Sequence, residues 1–138
     1  MPAPPLKIDP KYGYFPHWPQ DGDDWVHPDD ATRARAIIPS PRIFRREGRA
    51  GDYFVLHYGE ATIRAHPALW HEVAHEGIEI GDWVEVLARG MLNEPLTGTV
   101  CEMLWDEKSR AIRYQIASSG RLVEQLFARE DLQPTEPV

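Results

Sequence analysis

From Arg42 onward, apolar residues recur at every second position in short runs, and glycines or other turn-forming residues close each run. This rhythm constrains the chain more than any other feature. A period of two belongs to strands with one buried face. The runs RIFRRE, DYFVLHY and ATIRA, separated by GRAGD and GE, predict an antiparallel meander over residues 42–65. Gly59-Glu60 sits where a tight hairpin turn is needed. After residue 77 the rhythm returns in GDWVEVLA (81–88), GTVCEMLW (98–105) and AIRYQIA (111–117). DEKS reads as a hairpin loop, Ser118-Ser119-Gly120 as a tight turn, and residues 122–127 as a shorter strand. The fold class is therefore mainly β, with a minor helical part.

Two other segments depart from this pattern. In HPDDATRARAIIPS, Pro28 suits a first helical turn, and Asp29 and Asp30 place negative charge at its positive end. Pro39 and Pro41 stop that helix after two or three turns. Residues 1–28 carry seven of the thirteen prolines, which argues against helix or regular sheet there. Tyr12, Tyr14, Phe15, Trp18 and Trp25 make this stretch too apolar to float free. It reads as an extended arm strapped onto its own domain, or docked on a partner through aromatic anchors.

WHEVAHEG, residues 70–77, contains His-Glu-x-x-His. On a helix this spacing puts His71 and His75 on one face as zinc ligands, with Glu72 as the base that polarises a metal-bound water. Pro67 and Gly77 bracket a second short helix around it. Those brackets leave nine residues, about 14 Å at 1.5 Å per residue, which is short for a metal scaffold. No histidine follows His75, so a third ligand would have to be Glu79, Glu94, His57 or His66. The alternative without metal packs Leu69, Trp70 and Val73 against the sheet and leaves the histidines wet.

The run from Gly81 to Leu132 resembles an SH3-like small β-barrel of the KOW and Tudor kind. The residues that carry the likeness are Gly81-Asp82 with Val84 and Val86, Gly98 with Val100, Tyr114 with Ile116, and Phe127 before Asp131-Leu132. The resemblance implies five strands with a long loop, ARGMLNEPLT, and a single helical turn, EDL. The wider stretch from HPDD to EDL also resembles a family of uncharacterised bacterial proteins, which brings no activity with it. The domain plan is then an arm over 1–28, helix, meander and second helix over 29–76, the small barrel over 77–134 and a frayed tail over 135–138.

Alternation points Val84, Val86, Val100, Ile112, Tyr114, Ile116, Phe127 and Leu132 inward. Trp83 falls on the opposite face, and Trp105, at the end of its strand, outside the barrel core. Outward tryptophans pack on the meander, hold the arm, or line an aromatic groove for a partner. A partner-binding surface of Trp83, Trp105, Arg89 and Asn93 follows, with the arginine-rich 42–49 segment adding charge complementarity.

The net charge of −7 weighs against nucleic acid, whose affinity is built from Lys and Arg contacts. Residues 33–49 run against that balance with six arginines and one acid, a patch suited to an acidic partner or simply solvated faces. One cysteine, Cys101, excludes an internal disulfide and a cysteine zinc cluster. It reads as a buried, inert thiol. The start of the chain has no signal-peptide pattern, and no apolar run approaches the ~18 residues that cross a bilayer. A cytoplasmic setting is expected. Glycine-rich phosphate loops, Gly-x-Ser-x-Gly and dinucleotide fingerprints are missing from the sequence. The leading expectation is a non-enzymatic protein-binding module without cofactor. A small zinc metallohydrolase using His71, Glu72 and His75 is the second reading, and an RNA-binding KOW-like module the third.

Overall fold

The structure is a computed structural model of the chain and describes residues 6–20, 22–67, 70–88 and 95–137. Among the described residues it is mainly β, with two antiparallel five-stranded sheets and one short α-helix. The chain divides into two compact units, Met1–His75 and Glu76–Val138.

In the first unit the meander forms over the expected residues. β2 (Phe44–Ala50), β3 (Tyr53–Tyr58) and β4 (Ala61–Ala65) pair in sequence order. Gly51 and Gly59 open the two-residue turns between them at φ 62° and 59°. A side chain is disfavoured at such angles, and hairpin turns of this hand match the twist of the strands. α1 (Ala31–Ile37) continues a 3-10 turn at Pro28–Asp30, as the proline and two acids suggest.

The arm is a correction. Residues Leu6–Tyr14 form β1, which pairs with β2 despite the prolines. Its register shifts between Lys7 and Lys11, where Pro10 lacks an N–H to give. β1 thus joins the sheet instead of merely lying on it. The second correction is the motif helix. Residues His71–Val73 are a three-residue strand, β5, paired antiparallel to β1 with Tyr14 opposite His71 and Gly13 opposite Glu72. An isolated helix of nine residues is marginal in water, and the free edge of β1 offers ready-made hydrogen bonds. The sheet order is β4-β3-β2-β1-β5. One face carries the core, where Phe44, Leu56 and Ile63 meet Trp25, Ala34 and Ile38.

Asp30 fastens the helix to this sheet. It is only 2% exposed, yet ionic. It accepts hydrogen bonds from the Arg64 backbone N–H (2.8 Å), Arg64 Nε (2.9 Å) and Arg33 Nη2 (2.6 Å). Burial pushes its pKa up. The Arg64 hydrogen bonds and the charges of Arg64 and Arg33 outweigh that and hold it below the usual carboxylate value.

In the second unit, β6 (Trp83–Val86), β7 (Leu96–Asp106) and β8 (Ala111–Ser118) form where the sequence places them. β9 is only Arg121–Leu122. Phe127 rejoins the sheet through a paired bridge to Tyr114, so residues 122–127 are not one continuous strand. The single turn Arg129–Asp131 leads into β10 (Leu132–Pro134), which pairs with β6. Thr135, expected to fray, donates its N–H to Trp83 O at 3.0 Å. The order is β10-β6-β7-β8-β9. All eight positions expected to face inward are buried. Ile78 and Met103 join them.

Met103 is buried because β7 carries a bulge between Val100 and Glu102. Val100 lies opposite Ile116, Met103 opposite Tyr114 and Trp105 opposite Ile112. The extra residue, Cys101, advances the alternation by one, so Met103 and Trp105 share the buried face of Ile112 and Tyr114. Trp105 is therefore not on the outer face. Gly98 is also fixed by packing. A β-carbon there would stand 2.3 Å from Ala117 O and 2.8 Å from Ile116 Cγ2.

Candidate functional site

A groove of about 950 Å³ lies in the first unit. It is built from segments distant in sequence: Pro16-His17-Trp18-Pro19-Gln20, Asp24-Trp25, His66-Pro67 and Trp70-His71. Each arrives for a local reason. Phe15 is buried in the core at the end of β1, and Pro16 and Pro19 prevent the strand from continuing. The chain then turns, and Trp18 Nε1 donates to Gly22 O at 2.7 Å, which fixes the indole. The Gly22–Trp25 3-10 turn buries Trp25, and Val26 bridges to Ala65 at the edge of β4. Just before β5, Trp70 lies over the backbone of Gly13. A β-carbon there would meet the Trp70 ring at 2.7 Å, so glycine admits the tryptophan.

The aromatic walls support one another. Phe15 packs against Trp25 at 5.3 Å and Trp70 at 5.6 Å, and Trp18 meets Trp25 edge-on at 5.3 Å. Such tilted pairs suit the ring quadrupoles. Trp25 is buried, whereas Trp18 and Trp70 are half-exposed. The Trp25 Nε1–H is buried with no hydrogen-bond partner among the described residues. Arg35 caps Trp18 from outside, its guanidinium 4.4 Å from the ring and its Nη2 2.6 Å from Asp23.

His66 and His71 of the groove, and His75 just after β5, are engaged by neighbours. His66 stacks on Tyr53 at 4.3 Å, and its Nδ1 lies 3.3 Å from Asp52 O. His71 Nδ1 is 3.4 Å from Tyr14 Oη. His75 stacks on Tyr12 at 4.0 Å, with an angle of 6° between the rings. In a strand, successive side chains point to opposite faces, so Glu72 cannot reach across the same face as His71. The helical face that a His-Glu-x-x-His zinc site needs does not form. Among the described residues, no three or more His, Cys, Asp or Glu side chains gather as metal ligands would.

The surface expected on the second unit is only partly described. Trp83, half-buried, lies on the outer face beside Thr99, and Trp105 lies on the inner one. Arg89 and Asn93 lie outside the described residues, as does Glu94 of the ligand candidates. Cys101 is half-buried at the bulge. Its Sγ donates to Gln115 O at 3.3 Å, and burial, with the neighbouring Glu102 charge, pushes the thiol pKa up. That is the opposite of an activated cysteine. Tyr114 is fully buried and donates to Glu76 Oε1 at 2.8 Å, so burial and that carboxylate drive its pKa far upward. Arg129 Nε donates to Glu76 O at 2.8 Å, which ties the start of the unit to its last turn.

The sequence alone does not mark the groove as a site. The signal was present in the proline-flanked Pro16-His17-Trp18-Pro19. Trp18 and Trp25 were expected as anchors of the arm, whereas they become walls of a cleft.

A family model described as "Family of unknown function (DUF6960)" matches residues 2–133, and the chain belongs to that family. No curated protein and no solved structure matches it.

Proposed function

We propose that the chain is a non-enzymatic protein-interaction module whose first unit receives an extended, proline-bearing segment of a partner protein. The carrying observation is the groove itself, with three tryptophans and three prolines around about 950 Å³. Aromatic-lined grooves hold polyproline-type peptides because the ligand is already extended and loses little entropy on docking. Half-exposed Trp18 and Trp70 line the groove, and tryptophan is among the residue types enriched at binding hot spots. The engaged histidines and the raised thiol pKa support a binding role over catalysis. A cytoplasmic setting accords with the single cysteine, and among the described residues no helix is long and apolar enough to cross a membrane.

In this reading the second unit is an SH3-like small barrel. Its succession of β6, loop, β7, hairpin, β8, tight turn, β9, single helical turn and β10 supports that assignment. It offers a secondary contact surface through Trp83, and the same unit also exposes Leu122 and Leu126 at 63% and 42%.

Titration with a fluorescein-labelled decaproline peptide tests the groove. Anisotropy is expected to rise, with a change in tryptophan emission, and Trp18→Ala is expected to weaken binding at least tenfold while far-UV circular dichroism stays unchanged. Absence of binding at millimolar peptide, or loss through Trp83→Ala in place of Trp18→Ala, would overturn the assignment.

A further inference from the structure

The first unit holds seven arginines, and they divide sharply by partner. Arg33, Arg35, Arg45 and Arg64 each have a carboxylate within ion-pair distance. Arg42, Arg46 and Arg49 have none among the described residues; each guanidinium instead lies over an aromatic ring. Arg42 sits 5.9 Å from the Tyr58 centroid, Arg46 4.7 Å from Phe54, and Arg49 5.9 Å from Phe54. All three project from one face of β2 and the residues leading into it. The bulge between Arg46 and Gly48 makes this possible, because the extra residue, Glu47, lets positions 46 and 49 share a side. Lys11 of β1 is in register directly opposite Arg46. Like charges facing each other across strands are destabilising. In a chain of net charge −7 with acids to spare, an uncompensated row of cations calls for a ligand outside the chain.

We infer that this arginine row binds the carboxylates of an acidic segment in the partner protein, so that the segment is acidic as well as extended. The inference rests on the groove reading, because Trp70 serves both: it walls the groove and lies 5.1 Å beneath the Arg46 guanidinium. Stacking on rings holds each guanidinium plane; Arg49 Nε donates to Gly51 O at 3.2 Å and Arg46 Nε is buried, so the paired Nη groups are the edge that would grip a carboxylate with two parallel hydrogen bonds. At about 3.3 Å per residue the row from Arg42 to Arg49 spans roughly 20 Å, the reach of six or seven extended residues. A nucleic-acid strand fits less well, since a net acidic chain repels a continuous phosphate backbone.

Fluorescence anisotropy with fluorescein-labelled decaglutamate at about 50 mM salt tests this, low salt being where exposed charge pairs are strongest. Wild type is expected to bind, and the Arg42→Gln, Arg46→Gln, Arg49→Gln triple variant to bind at least tenfold more weakly. Trp18→Ala is expected to leave decaglutamate binding unchanged, so a failed groove and a failed arginine row give different patterns. Should the triple variant misfold, Arg49→Gln alone, at the most exposed of the three positions, is expected to weaken binding about threefold. Three outcomes would overturn the inference: equal binding by the folded variants and wild type, tighter binding of a labelled deca-uridylate than of decaglutamate, or a wild-type dimer in sedimentation that the arginine variants dissolve.

Discussion

Replacing Asp30 by Asn probes the contact that fixes α1 to the first sheet. The substitution keeps shape and volume, but it removes the charge and turns one acceptor oxygen into an N–H₂ facing donors. Breaking a fully buried ion pair costs about 3–5 kcal/mol. The cost is lower here, because the Arg33 and Arg64 side chains keep 50% and 37% exposure and regain water when released. What water cannot replace is the acceptor for the Arg64 backbone N–H, at 2.8 Å from Oδ2. Charge-assisted hydrogen bonds contribute about 1.5–3 kcal/mol, so the expected loss is roughly 2–3 kcal/mol. At about 3–4 °C per kcal/mol for a chain of this size, Tm falls by roughly 6–12 °C. Urea unfolding followed by circular dichroism and tryptophan fluorescence measures it, with coincident curves as the check on two-state behaviour.

The pH dependence supplies the sign. Asp30 has a lowered folded pKa, so its stabilisation is present above the unfolded carboxylate value of about 3.9 and is lost as pH falls through the folded value. The gap between wild type and Asp30→Asn is expected to be constant above about pH 5 and to shrink below about pH 4. A loss under about 0.5 kcal/mol, typical of unremarkable surface changes, would refute the reasoning, as would a gap that ignores acid.

Gly98→Ala forces a β-carbon against Ala117 O at 2.3 Å, so it is expected to cost more than the usual 1–3 kcal/mol of an overpacked site, read as a lower urea midpoint. At the β7 bulge, Met103→Ala is expected to cost about 2–5 kcal/mol and Glu102→Ala a small fraction of that. Uninterrupted alternation from Val100 would reverse the two, and thermal melts of both variants decide it.

Alternation is a property of each strand alone, so residues such as Val84, Val86, Tyr114 and Ile116 could be assigned to the interior without knowing their neighbours. The meander turns were likewise legible, because Gly51 and Gly59 supply an angle that other residues avoid. The bulge at Cys101 left no such mark. A bulge is settled between two strands, and it alone moved Trp105 from the outer face to the inner one. Residues 71–77 show the same limit from the other side. His-Glu-x-x-His spacing suggests a helix, yet the open edge of β1 and the bare backbone of Gly13 drew His71–Val73 into a strand, and the metal-binding face disappeared with the helix.

The chain's own order of residues thus determined its class, its turns and most of its second interior, since these depend on neighbours a few positions apart. Tertiary structure decided the groove, and which members of the arginine-rich 42–49 segment share a face. The groove requires segments far apart in sequence, Pro16–Gln20 beside Trp70, and the shared face requires a bulge settled between β2 and β3; only closed backbone hydrogen bonding between strands fixes either.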